Sequence, residues 1–254
     1  QYYKDFSDQT REVFREQALD IVIVKTSDVE DIEELFSRLN NGEKLNAAEQ
    51  RNAFGGKMSS KIRDLAQHEF FLTKLGFSNR RYSHLEVAAK ILYIEECEAK
   101  QGKGHGFVDV KKRHLDKFVK DNKSISESDL KKLMTAVEKN LSWMQPIFEN
   151  SDSQLGKQSF PQLMYLFTKK VNREYADPKI QLKIREFLGA FTEERVENQK
   201  KTEDERDPEL TEYGRLTQQG TNDGDSMRRR TGILLRRFLK LNPEIALKDG
   251  KRLF

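Results

Sequence analysis

A single cysteine and four histidines in 254 residues remove several chemistries at the outset. One thiol, Cys97, cannot close an internal disulfide. Cys97 with His68, His84, His105 and His114 also lacks the paired spacing of a zinc site, so no structural metal is expected. Long apolar runs are missing too. No stretch reaches the roughly eighteen apolar residues that would span a bilayer. The opening QYYKDFSDQTREVF has neither the apolar segment of a secretory signal nor the Arg-rich, acid-poor character of a transit peptide. A cytoplasmic chain with no membrane partner is the expectation. The stretch GKGHG at 102–106 lacks the G-x-x-x-x-G-K-[ST] order of a phosphate loop and has no strand leading into it, so it reads as a flexible turn. There is no Ser-His-Asp set to propose, no internal repeat and no low-complexity tract.

What is present is 36% apolar and 35% charged residues, enough for a core but not a thick one. The net charge of +4 is unevenly spread. From Arg228 to Phe254 nine Lys/Arg face only Glu244 and Asp249, so that end alone carries a surplus of seven and everything before it is slightly acidic. Arg229, Arg230, Arg236, Arg237 and Lys240 fall on a helix expected from about Ser226 to Leu241, with Met227, Leu234, Leu235, Phe238 and Leu241 packing inward. If free, these five cations could follow a DNA backbone. The other reading is that they pair with the acidic run Glu203 to Glu209 across the preceding loop.

The periodicity is helical almost throughout. Ala18 to Lys25 is the exception, a continuous β-branched run (Ile21 to Val24) that suits a strand buried on both faces. Ser27 and Glu30 fit a capping box for a helix that stops near Asn40, and Asn46 and Glu49 fit a second one for a short helix ending at Gly55-Gly56. Apolar stripes then mark an α-bundle: Ile62, Leu65, Ala66 and Phe70; Leu85, Ala88, Ala89, Leu92 and Tyr93; Leu130, Leu133, Met134, Val137, Leu141 and Met144. Further helices are expected over Phe160 to Tyr175 and Ile180 to Phe191, and KKTEDERDPE and QQGTNDGD read as loops.

The stretch FSRLNNGEKLNAAEQRNAF, Phe36 to Phe54, holds more planar hydrogen-bonding groups than packing requires. Arg38 and Asn40 end one helix while Asn46, Glu49, Arg51 and Asn52 begin the next, so the turn gathers six polar side chains. Two readings stand. The residues are only a cap and a staple between Glu49 and an arginine, or the guanidinium forks and amides at a helix N-terminus form a nucleotide or phosphate pocket.

The order F-x-R-L-N, a short Gly turn, then L-N-x-x-E-x-R-N-A resembles the hallmark of the GmrSD-type restriction endonuclease N-terminal domain, a branch of the ParB/sulfiredoxin-like fold. It is carried here by Phe36, Arg38, Leu39 and Asn40, then Leu45, Asn46, Glu49, Arg51, Asn52 and Ala53. A second patch of likeness holds Phe71, Arg80, Arg81, Tyr82 and Glu86. The resemblance covers at least residues 6–95 and more loosely the whole chain. It implies a mainly α protein with residues 1–57 as the C-terminal, strand-containing part of a truncated ParB-like α/β domain. Residues 58–254 would be a helical bundle with a basic final helix.

The family's upstream D-G-Q-Q-R motif and the HNH nuclease module found in many members are both missing. A central region is therefore expected, with the N-terminal and C-terminal regions of the same protein as its partners. For the intact protein the resemblance implies nucleotide-regulated recognition and cleavage of modified or foreign DNA, with DNA as partner and an NTP and a divalent metal as cofactors. No cofactor belongs to this chain, which alone is expected to be inactive, and homo-oligomerisation stays open. The competing expectation is a non-catalytic helical module that binds a protein or DNA.

Overall fold

The structure is a computed structural model that describes residues 3–18, 21, 23, 25, 32, 45–102 and 106–248. The chain divides into two compact units, Gln1–Lys44 and Leu45–Phe254. In the first, a 3-10 turn (Tyr3–Asp5) precedes helix α1 (Asp8–Arg15), which Ser7 caps by accepting from the Thr10 amide. Arg11 donates to the Tyr3 and Lys4 carbonyls, and Tyr3 packs edge-on against Phe6 and obliquely against Phe14. The expected strand is only partly in view. Ala18, Ile21, Ile23 and Lys25 carry no strand pairing, and Ile21 and Ile23 are about four-fifths exposed rather than buried. No partner strand for them exists among the described residues. The Ser27–Glu30 box, Arg38 and Asn40 lie outside the described residues, as do 103–105 and 249–254.

The second unit is the mainly α bundle that the stripes predict. Its helices are α2 (Ala47–Ala53), α3 (Gly56–Leu65), α4 (Glu69–Thr73), α5 (Ser83–Gln101), α6 (Lys112–Asp121), α7 (Glu127–Met144), α8 (Pro161–Glu174), α9 (Ile180–Lys200), α10 (Pro208–Gln218) and α11 (Gly224–Leu241). The boundary falls at 44/45 rather than near residue 57, because α2 packs against α3, α5 and α6 and so belongs to the bundle. The stripe from Ile62 to Phe70 is two helices, broken where His68 caps α4 through Nδ1, which accepts from the Phe70 amide. α6 and α10 have no counterpart in the periodicity reading. The described sheet is one short antiparallel pair, β1 (Tyr175–Ala176) with β2 (Ala246–Leu247), in the register Tyr175 to Leu247.

Helix α5 is the spine. It packs against α2, α3, α6, α7 and α8 and is buried nearly all round, as a helix enclosed by neighbours is. Its charged residues are therefore forced into internal networks. Near its C-terminal end, Glu95 accepts from the Tyr165 hydroxyl and the Lys169 ammonium, both at 2.6 Å, and Glu98 accepts from Lys169 and Arg173. A second core segment is aromatic. Phe167 of α8, Phe187 and Phe191 of α9, Tyr213 of α10 and Phe238 of α11 touch in sequence at centroid distances of 4.9–6.1 Å. These largely edge-to-face or tilted contacts knit the last four helices.

Candidate functional site

Asn46 starts α2 as the sequence predicts. Its Oδ1 accepts from the Glu49 amide at 2.9 Å, and its own amide donates to Glu49 Oε2 at 2.7 Å, completing the capping box. Neither residue stops there. Asn46 Nδ2 donates to the Arg81 carbonyl at 3.0 Å, and Arg81 returns a two-pronged bond to Glu49, Nε to Oε1 at 2.9 Å and Nη2 to Oε2 at 2.8 Å. The turn that delivers Arg81 is unusual, since Arg81 and Tyr82 both have positive φ, 51° and 59°. A left-handed conformation costs a non-glycine residue energy and persists only where its surroundings hold it. Here the Asn46 amide on the Arg81 carbonyl and the Glu49 carboxylate on its guanidinium do so. The same bonds hold the Glu49 carboxyl below its ordinary range, the Arg81 hydrogen bond outweighing the upward pull of burial.

Arg51 lies two residues further on, about half a turn around the helix, and it does not meet Glu49. Its side chain is 3% exposed, with Nη1 donating to Asp116 of α6 at 2.9 Å and Nη2 donating to Glu86 of α5. Its carbonyl accepts from the Ser59 hydroxyl of α3. One guanidinium thus ties α2 to α5 and α6 through two carboxylates, a geometry that suits its planar fork. Burial draws the Arg51 pKa down and the Asp116 partner opposes it. Asn52 faces away, its Oδ1 accepting from Arg63. Asp116 also holds Lys112 at 2.5 Å.

Beyond Glu86 the network reaches Lys90, which is 3% exposed. Its ammonium donates to Asn222 Oδ1 at 3.1 Å, and the nearest carboxylate oxygen, Glu86 Oε1, stands 3.7 Å off. Arg51 already claims that carboxylate, so it relieves little of the burial penalty. Burial, helped by the like charge of Arg51, lowers the Lys90 pKa to about 8. Asn222 is in the loop before α11, which is fastened to the 106–111 segment by Val110 donating to the Asn222 carbonyl and by the Gly224 amide donating to Asp109.

Of the six residues expected to converge, Asn46, Glu49, Arg51 and Asn52 share one short helix, but their partners differ from expectation. Glu49 pairs with Arg81, and Arg51 points into the bundle with its donors on carboxylates. Lys90, Asp116 and Asn222 were not anticipated. Glu86 and Lys90 at i and i+4 within the apolar first half of α5 are the one sequence signal that could have exposed the network.

Four of the five cations of the last helix are not free either. Arg230 is wholly buried, Arg229 pairs with Glu212, and Arg236 pairs with Glu209 at 2.7 Å. Arg237 reaches Asp207, Glu209 and Glu194. Only Lys240 of the five is exposed without a carboxylate partner among the described residues. The reason is packing. α11 lies on α10, whose capping and first-turn acids face the arginine ridge. Burial pulls the Arg237 pKa down, but its bond to Asp207 and the surrounding acids raise it overall. The arginine row thus pairs with Asp207 and Glu209, at the end of the Glu203 to Glu209 run weighed in the sequence, and with Glu212 and Glu194 outside it.

No family model, no curated protein and no solved structure matches this chain. Among the described residues no group of three or more His, Cys, Asp or Glu could hold a metal ion. None of the described helices is long and apolar enough to cross a membrane.

Proposed function

We propose that the chain is the helical region of a GmrSD-like, modification-dependent DNA restriction or phage-defence protein, in which the motif residues form a latch rather than a phosphate pocket. One observation carries this reading. The two segments on which the resemblance rests are separate in sequence, yet they meet in paired contacts, Glu49 with Arg81 and Arg51 with Glu86. Residues shared with a family for a common structural purpose should touch in this way, and an accidental likeness has no reason to.

The latch holds segment 45–53 on α5 and α6. Arg51 has no exposed donor to offer a nucleotide. Recognition and cleavage of DNA, nucleotide control and self-association are assigned to the intact protein.

The test is a phage challenge of cells carrying the whole gene. Plating of phage with base-modified DNA should fall at least about tenfold relative to phage with unmodified DNA, and Arg51→Met or Glu86→Gln should abolish the difference. Equal plating of both phage types by a stably expressed protein would favour the competing reading, a non-catalytic helical interaction or DNA-binding module. The purified 254-residue chain is expected neither to cut DNA nor to hydrolyse nucleotides.

A further inference from the structure

Far from the latch, α8, α9, α10 and α11 and the 3-10 turn at Ser153–Leu155 enclose a cleft of about 280 Å³. Half of its lining is apolar, including the aromatic Phe160, Phe191 and Tyr213 beside Met164, and no lining residue is acidic. Two lining residues are cationic, Lys157 and Arg195. Among the described residues neither pairs with a carboxylate. Arg195 instead lays its guanidinium over the Tyr213 ring, 4.9 Å from the centroid. This is unlike the neighbouring arginine row of α11, where Arg229, Arg236 and Arg237 are each bridged to acids.

A third positive charge stands close by without a counter-ion. Arg230 is fully buried, donates only to the Ser226 and Thr221 carbonyls, and leaves Nη1 without a partner. The titratable group that senses its charge is Tyr213, the same residue that walls the cleft. The two cations that line the cleft, Lys157 and Arg195, face no lining acid, so they focus a positive potential there. The Arg195 guanidinium stacked on Tyr213, with Phe160 and Phe191 in the same lining, also suits a flat ring. The Thr192 and Thr217 hydroxyls and Gln154 add polar groups at the rim, each already oriented by a bond to its own surroundings.

We propose that this cleft binds a small anion carried on a flat ring, a phosphate monoester or carboxylate of about mononucleotide size. The volume sets the ceiling. It lies just below the roughly 300–1,000 Å³ of sites for drug-sized ligands, which excludes dinucleotides and nucleic-acid strands. The ring occupies the Phe160, Phe191 and Tyr213 side, and the anionic group sits between Lys157 and Arg195.

The experiment is calorimetric titration of the full chain with 5′-mononucleotides, the matching nucleosides, 2-naphthoate and inorganic phosphate. Saturable binding of a ring anion is expected, with the nucleosides and inorganic phosphate at least about tenfold weaker, because each lacks one half of the recognised chemistry. Binding of the mononucleotides alone identifies a phosphorylated ligand, and binding of naphthoate alone a carboxylated one. The Lys157→Gln, Arg195→Gln double variant should lose at least about tenfold in affinity and flatten the salt dependence. Thr217→Leu, which keeps both charges but intrudes on the cleft, should weaken binding as well. The proposal fails if no ring anion saturates the protein below about 5 mM. It also fails if the double variant melts like the parent and binds equally well. Should the double variant not fold, unchanged affinity in Thr217→Leu overturns it.

Discussion

Lys90 offers a sharp test of how the latch network is balanced. Its pKa falls from 10.5 to about 8, driven by burial and by Arg51. At about 1.4 kcal/mol per pH unit, holding the charged form inside the fold costs about 3 kcal/mol. Lys90→Met keeps most of the buried stem and deletes the charge, at the loss of one hydrogen bond to Asn222, worth about 1 kcal/mol. The variant should therefore be more stable than the parent by about 1–2 kcal/mol near pH 6.5.

The pH dependence follows from the sign of the shift. Below about pH 8 both folded and unfolded parent carry the proton and the penalty is complete. Between about 8 and 10.5 the folded state has released it while the unfolded state still holds it, so the parent gains stability as pH rises. The variant has no such term, and its advantage should shrink through this window and reverse near its upper end. Urea unfolding of both proteins at about pH 6.5, 8 and 9.5 measures this, since all other titrating groups cancel in the difference. A Lys90→Met protein less stable than the parent at pH 6.5 by more than about 1 kcal/mol, with a gap that does not change with pH, would refute the reasoning. It would show instead that the 3.7 Å approach to Glu86 is a net stabilising ion pair.

Arg51→Met should cost about 3–5 kcal/mol in urea unfolding, because Glu86 and Asp116 are left half-buried without their shared cation. Arg51→Lys should recover only part of it, since one ammonium cannot reproduce the fork. Changing Arg229, Arg236 and Arg237 together to Ala should lower stability by about 1–2 kcal/mol at low salt and by less in 1 M salt, as expected for a mostly exposed charge network. DNA affinity should not move in that triple variant. A loss of affinity with a log-log salt slope reduced by about 0.9 per lost phosphate contact would instead show that the arginines bind backbone. Glu49 has a lowered pKa, so its stabilising contribution is present above its ordinary value of 4.5 and lost as pH falls through the folded value. Glu49→Gln should flatten the melting-temperature profile on the acid side of about pH 5, and an unchanged profile would mean that Arg81 does not hold the carboxylate in solution.

Local order was legible in the sequence because it depends on neighbours a few residues apart. The Asn46–Glu49 capping box, the stop at Gly55-Gly56 and the stripes of α5 and α7 are written in spacing alone, and so is the mainly α class. Even there two short helices went unread, α6, although Leu115, Phe118 and Val119 fall at helical spacing, and α10. Partner choice was not legible. Arg51 lies 35 positions from Glu86 and 65 from Asp116, and Glu49 lies 32 from Arg81. Many other carboxylates and guanidiniums in the chain could have served as well, and charge attraction alone does not rank them. Only the packing of α2 on α5 and α6, and of α11 on α10, decides which groups leave water together. A buried charge must find its partner within that enclosure or lower its pKa, as Lys90 does. The sequence by itself therefore determined which segments become helices and where they begin. The tertiary structure decided that Arg51 is a strut, that the basic helix is clasped, and that Lys157 and Arg195 alone are left facing an apolar cleft, because desolvation acts on surfaces brought together in space.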